Sequence, residues 1–141
     1  MSSKFAGLAL GVDTVARMTI IHPVTRQPLR NVETGDEAWI DLLSAGSSAG
    51  RAHDRAVTDR QLRLRGQRYT AEQAEADLIE KLAKLTKAWS LVTLDGTALA
   101  VDCTPAAARE LYAMTELAWL REQVVEFITD LGNFRPAASK S

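Results

Sequence analysis

The 141-residue sequence holds a single cysteine, Cys103. One thiol excludes an internal disulfide and a cysteine-based zinc site, and it suits a reducing cytoplasm. Histidine is nearly as scarce. His22 and His53 are the only two, and neither has a second His or Cys three or four residues away, as a helical metal site would need. No run of about 18 apolar residues occurs, so a membrane-spanning helix is excluded. The apolar stretch near the start is interrupted by Gly11 and Asp13 and is too short for a signal peptide. The net charge of −1 provides no global pull toward nucleic acid or anionic lipid. Also missing are a Gly-x-Ser-x-Gly elbow, a Walker sequence and a dinucleotide fingerprint. Gly46 to Gly50 is glycine-rich but lacks the Lys-Ser/Thr that grips phosphate. The expectation is a protein without cofactor or metal, and not an enzyme.

What is present, 46% hydrophobic and 25% charged residues, fits one globular domain. Residues 1–13 read as a flexible leader, because Gly7, Gly11 and the pair Ser2-Ser3 break any period. Residues 14–134 read as a single α+β domain, mainly helical. Its first part, residues 14–43, has strand character. Thr14 to Val24 alternates, with Ala16, Met18 and Ile20 on the more apolar face, which should meet the core. Thr25 to Pro28 is a bend, Leu29 to Val32 a second extended run, and Glu33 to Glu37 a turn. Ala38 to Leu43 reads as a third strand, although Trp39 to Leu43 could begin a helix. Ser44-Ala-Gly-Ser-Ser-Ala-Gly50 has the composition of a linker, and it should be exposed and poorly packed.

From residue 51 the period becomes helical, and residues 51–134 are expected to form a small bundle. Arg51 to Arg65 places Ala52, Ala56, Val57 and Leu64 near one stripe, with Gly66 as the stop. Thr70 and Gln73 make a capping box for the next helix. There Ala71, Ala74, Leu78, Leu82, Leu85 and Trp89 form one apolar seam. Asp95-Gly96 between two apolar runs predicts a short type I′ hairpin, or else a structured loop. Thr104-Pro105 caps a third helix carrying Ala107, Leu111 and Met114. A last helix from about Glu116 to Leu131 puts Leu117, Leu120, Val124, Phe127 or Ile128, and Leu131 on one face. Gly132-Asn133 ends it, and residues 135–141 read as a flexible tail.

Three features invite a functional reading. Cys103 precedes a helix N-terminus, where a thiolate is favoured, but it reads more simply as a small half-buried residue ahead of the cap. Arg51, Arg55, Arg60, Arg63, Arg65 and Arg68 face only Asp54 and Asp59. This is either a nucleic-acid or acidic-partner patch, with Arg55 and Arg63 as its candidates, or a solvated face balancing Glu72, Glu75, Asp77 and Glu80. On the last helix, Trp119 and Val125 lie beside the main seam. They are buried between two neighbours or belong to a self-association or client surface.

Several motifs, in order, resemble a known family. Met18-Thr19-Ile20-Ile21-His22-Pro23-Val24-Thr25-Arg26-Gln27-Pro28-Leu29 resembles the N-terminal strand-turn-strand of the tail assembly chaperones of long-tailed bacteriophages. The arginine-rich helix and Thr70-Ala-Glu-Gln fit the middle of those proteins. Thr86-Lys87-Ala88-Trp89 is similar to their Thr-x-x-Trp. Trp119-Leu120-Arg121-Glu122-Gln123-Val124, then Glu126-Phe127 and Asn133-Phe134, is similar to their last helix and its Asn-Phe ending. The resemblance spans roughly residues 15–134. It implies a non-enzymatic assembly factor, active in the host cytoplasm and absent from the mature virion. Such a factor binds the tape-measure protein, serves the tail-tube protein and forms homo-oligomers. A longer frameshifted product is common in that family. On this reading Trp119, Val125, Phe134, Arg55 and Arg63 are the candidate partner-binding residues, membrane is not a partner, and nucleic acid is the alternative ligand, met by the helix over residues 51–68.

Overall fold

The computed structural model describes residues 4, 5, 8, 13–64 and 68–134. The expected leader (apart from Asp13 and the three scattered residues), the Gly66 stop and the tail over 135–141 lie outside them. The fold is α+β, as expected. Strands β1 (Ala16–Thr19) and β2 (Trp39–Leu42) come first, then helices α1 (Ser48–Leu64) and α2 (Ala71–Leu85). Strands β3 (Thr86–Val92) and β4 (Ala98–Leu99) follow, then α3 (Pro105–Ala113) and α4 (Ala118–Thr129). One 3-10 turn over Thr115–Leu117 precedes α4, and another over Leu131–Asn133 follows it.

The four strands make one antiparallel sheet in chain order, β1-β2-β3-β4. Met18, Ile40 and Trp89 are register partners across its first three strands, and Leu91 faces Leu99 across the last two. Met18, Ile20, Ile40 and Leu42 are buried, so the apolar face of β1 and its continuation meets the core as the alternation predicts. Ile21 pairs with Pro28 and Arg30 with Glu37 beyond the regular strands. His22 shapes the first of these loops. Its Nδ1 accepts from the amides of Val24 and Thr25. The loop then returns through Arg26 at φ 62°, a left-handed backbone that non-glycine residues seldom adopt. Trp39–Leu42 is strand, not helix.

Residues 44–50 overturn the linker expectation. Ser44, Ser47 and Gly50 are buried. The Ala45 amide donates to the Ile128 carbonyl, and the Leu43 amide to that of Leu85. The Ser44 hydroxyl accepts from the Gly46 amide, and the Ser47 hydroxyl accepts from Gly50, three residues on, as an N-cap does. Gly50 has to be glycine. A Cβ there would stand 2.2 Å from the Ala45 carbonyl oxygen. Serine and glycine thus serve tight turning and capping inside the core, and α1 begins at Ser48, within the expected linker.

The seam expected on α1 is also displaced. Ala52 and Ala56 are exposed; Gly50 and His53 are buried, with Val57 and Leu64 half-buried. The capping box at Thr70 and Gln73 forms as read. The seam of α2 is buried only in its later turns. Ala71 and Ala74 are exposed, Leu82 and Leu85 fully buried, and Trp89 sits in a strand rather than on the helix. The helix passes into β3 at Thr86, whose hydroxyl donates to the Leu82 carbonyl. That hydroxyl has one proton, so the Tyr112 phenol, 2.7 Å away, donates to it. Burial pushes the Tyr112 pKa up to about 12.

The hairpin at Asp95-Gly96 exists and is the outer edge of the main sheet. Its turn is not type I′. Only Gly96 has positive φ (90°), the Gly96 amide donates to the Thr93 carbonyl, and Thr93 donates to Thr97. That is a three-residue loop with a glycine bulge. Thr104 and Pro105 start α3 as predicted, with Ala108 and Tyr112 buried. On α4, Leu120, Val124 and Ile128 are buried and Phe127 is half-buried. Leu131, expected inward, is 50% exposed because the helix stops at Thr129 and the chain tightens into a 3-10 turn. Gln123 clamps α4 to the strand edge. Its side-chain oxygen accepts from the Ile21 amide, and its nitrogen donates to the Ile21 carbonyl.

Candidate functional site

Among the described residues no three His, Cys, Asp or Glu side chains converge as metal ligands, and no helix is long and apolar enough to cross a membrane. His53 is buried where α1 crosses α2, and Lys84 Nζ lies 3.3 Å from its Nδ1. Burial first, and the Lys84 charge second, hold its pKa below the ordinary value. A neutral ring accepting from a lysine is a helix-packing contact. Cys103 is half-buried ahead of the α3 cap, and burial raises its thiol pKa, which works against a thiolate.

An open apolar surface lies where the helices leave the β3–β4 corner of the sheet uncovered. Trp89, Leu91 and Leu99 form its floor. Val101 continues the outer strand, and Ala107, Leu111, Met114 and Leu117 form the facing wall. This pocket of about 270 Å³ adjoins a second of about 130 Å³, lined by Ile20, Leu29, Leu94, Trp119 and Leu120 among others. The two share Leu91, Leu99, Leu111 and Leu117, so they form one apolar groove. Its rim is open: Leu94, Leu99, Val101 and Met114 are 52%, 44%, 48% and 43% exposed. The Trp89 indole donates to the Val101 carbonyl at 2.7 Å and pins the outer strand beside the floor.

The partner-binding candidates from the sequence do not share a surface. Trp119 is half-buried and lines the inner end of the groove. Val125 is half-buried against the core and lines neither pocket. Phe134 corrects its assignment. It is fully buried, edge-to-face with Phe127 at 5.5 Å, while the Asn133 amide nitrogen donates to the Phe127 carbonyl. The Asn-Phe ending therefore closes the core. Arg55 and Arg63 are exposed on α1 and, among the described residues, enter no ion pair. Of the acids after α1, only Asp77 is matched by an α1 arginine, Arg60. Glu80 pairs with Arg109 and Glu75 with Arg121.

The sequence reading missed Leu94, Leu99, Val101 and Met114 as groove residues. A signal was available. A two-stranded edge with Leu99 and Val101 on one face and no polar residue between Ala98 and Val101 has more apolar surface than a hairpin can cover by itself. Compared with protein-family models, with curated proteins and with solved structures, the chain matches none.

Proposed function

We propose that the chain is a phage tail assembly chaperone, a non-enzymatic factor that holds apolar helical segments of a tape-measure protein while the tail tube is built. One observation carries the reading: the open apolar groove between the β3–β4 corner and the α3–α4 connection. A tape-measure protein exposes long apolar helical seams before the tube encloses it. A groove floored by a sheet and walled by a helix is the shape into which an amphipathic helix lays its apolar face. The ordered resemblance over residues 15–134 supports the same reading, and the host cytoplasm is the compartment it implies.

The test is capture of a tape-measure fragment from the same genome. Leu99→Glu and Met114→Glu place charge on the exposed rim. They should leave the circular dichroism spectrum and the unfolding midpoint unchanged, and they should reduce capture at least about tenfold, since desolvated apolar anchors dominate such interfaces. Normal capture by both variants would place the client elsewhere. The alternative, nucleic-acid binding through Arg55 and Arg63, predicts instead a loss of affinity that is steep in salt and insensitive to Leu99→Glu.

A further inference from the structure

The one charged side chain that lines the groove, Glu110, is acidic. Glu116 and Asp102 are exposed next to the lining residues Leu117 and Val101. Asp95 adjoins Leu94 and is held ionised by hydrogen bonds from Thr93 and Thr97. The arginines that adjoin the groove are each committed to a carboxylate, Arg109 to Glu80 at 2.7 Å, Arg30 to Glu37 at 2.9 Å and Arg121 to Glu75 at 3.2 Å, and Lys87 lies further along β3. Glu110, Glu116 and Asp102 enter no ion pair among the described residues. Resting on the reading that the groove receives the client, we infer that its occupant is a basic amphipathic helix, with an apolar stripe flanked by lysine or arginine. An apolar stripe alone would be satisfied by the floor and wall. The carboxylates around it add attraction for cationic flanks and repel acidic ones, which makes the rim the source of discrimination between helices of equal apolarity.

The probes are three synthetic peptides of about 18 residues, long enough for partial helix. One has leucines at helical spacing with lysine flanks. One has the same leucines with glutamate flanks. One has lysine flanks with the leucines replaced by serine. Binding to the full chain is read by fluorescence anisotropy at low and at high salt. The lysine-flanked leucine peptide should bind at least about tenfold more tightly than its glutamate twin at low salt, with the gap shrinking as salt screens the rim. Glu110→Lys with Glu116→Lys, both exposed, should remove that preference without changing the circular dichroism spectrum. Equal binding of the two leucine peptides, or none by either, overturns the inference. Equal binding by the serine peptide overturns it too, by making the surface a polyanion rather than a groove. If light scattering shows self-association that the double variant abolishes, a second copy's arginine-rich α1 is the occupant and the client assignment falls. A clear peptide preference with no capture of the tape-measure fragment would leave the groove chemistry standing and overturn the proposed function instead.

Discussion

Single residues here carry roles that their type alone conceals. Gly50 lies in the first turn of α1, and replacing a helical glycine with alanine ordinarily gains about 0.5–1 kcal/mol. The approach of the Ala45 carbonyl reverses the sign. Gly50→Ala should cost at least about 2 kcal/mol, read as a lower urea midpoint. A higher midpoint would mean that the Ala45 turn yields without cost. Phe134, near the end of the described chain, should behave as core. Phe134→Ala should cost about 3–5 kcal/mol, whereas a surface aromatic would lose little. Asn133 and Phe134 were legible as a motif and their burial was not, because a residue beyond the last helix meets the core only when the following turn folds it back.

At the scale of elements, α1 is attached with little full apolar burial. It buries Gly50 and His53, half-buries Ala49, Val57 and Leu64, and is tied to α2 through Arg60–Asp77, Asp54–Lys81 and His53–Lys84. The pKa of His53 in the folded chain lies below its ordinary value of 6.5. The unfolded chain therefore takes up a proton at His53 before the folded one does. The stability this residue contributes is complete above about pH 6.5 and is lost as pH falls from there through the lower folded value. The positive charge would form beside Lys84 and Lys81, with Asp54 and Asp77 as partial compensation. Amide exchange in α1 should accelerate relative to α4 between about pH 6.5 and 5, and His53→Gln should flatten that difference. An unchanged ratio would mean that His53 does not control α1. The exposed arginines have no such part. Arg55→Ala and Arg63→Ala should each shift stability by less than about 0.5 kcal/mol, and larger losses would reveal contacts absent from this structure.

At the scale of the whole molecule, the sheet crosses the division that the sequence suggests. β1 and β2 come from the strand-rich beginning, and β3 and β4 come after two helices. The Leu43 amide is tied to Leu85 and the Ala45 amide to Ile128, so the end of β2 and the turn after it are bonded into the helical part. Unfolding should be a single transition, with near-ultraviolet signals from Trp39, Trp89 and Trp119 coinciding with the loss of far-ultraviolet helix signal. A fragment ending at residue 64 should remain unfolded. Two separated transitions would restore an independent β part.

What the sequence determined by itself is local. The alternation in β1, the capping box at Thr70, the N-cap at Thr104, the glycine turn at Gly96 and the core stripe Leu120–Val124 all depend on backbone sterics or on residues within one turn of each other. Tertiary structure decided what depends on distant partners. The same serines and glycines that make a flexible linker elsewhere become a buried elbow here, because the Ile128 carbonyl takes the Ala45 amide and the Leu85 carbonyl takes that of Leu43 just before it. Trp89 leaves the helical seam because α2 ends at Leu85, where the Thr86 hydroxyl meets Tyr112, and the chain beyond pairs with β2. The groove exists only because α3 and the start of α4 line the β3–β4 corner without covering it, whereas the sequence near Leu99 shows no more than a surplus of apolar residues.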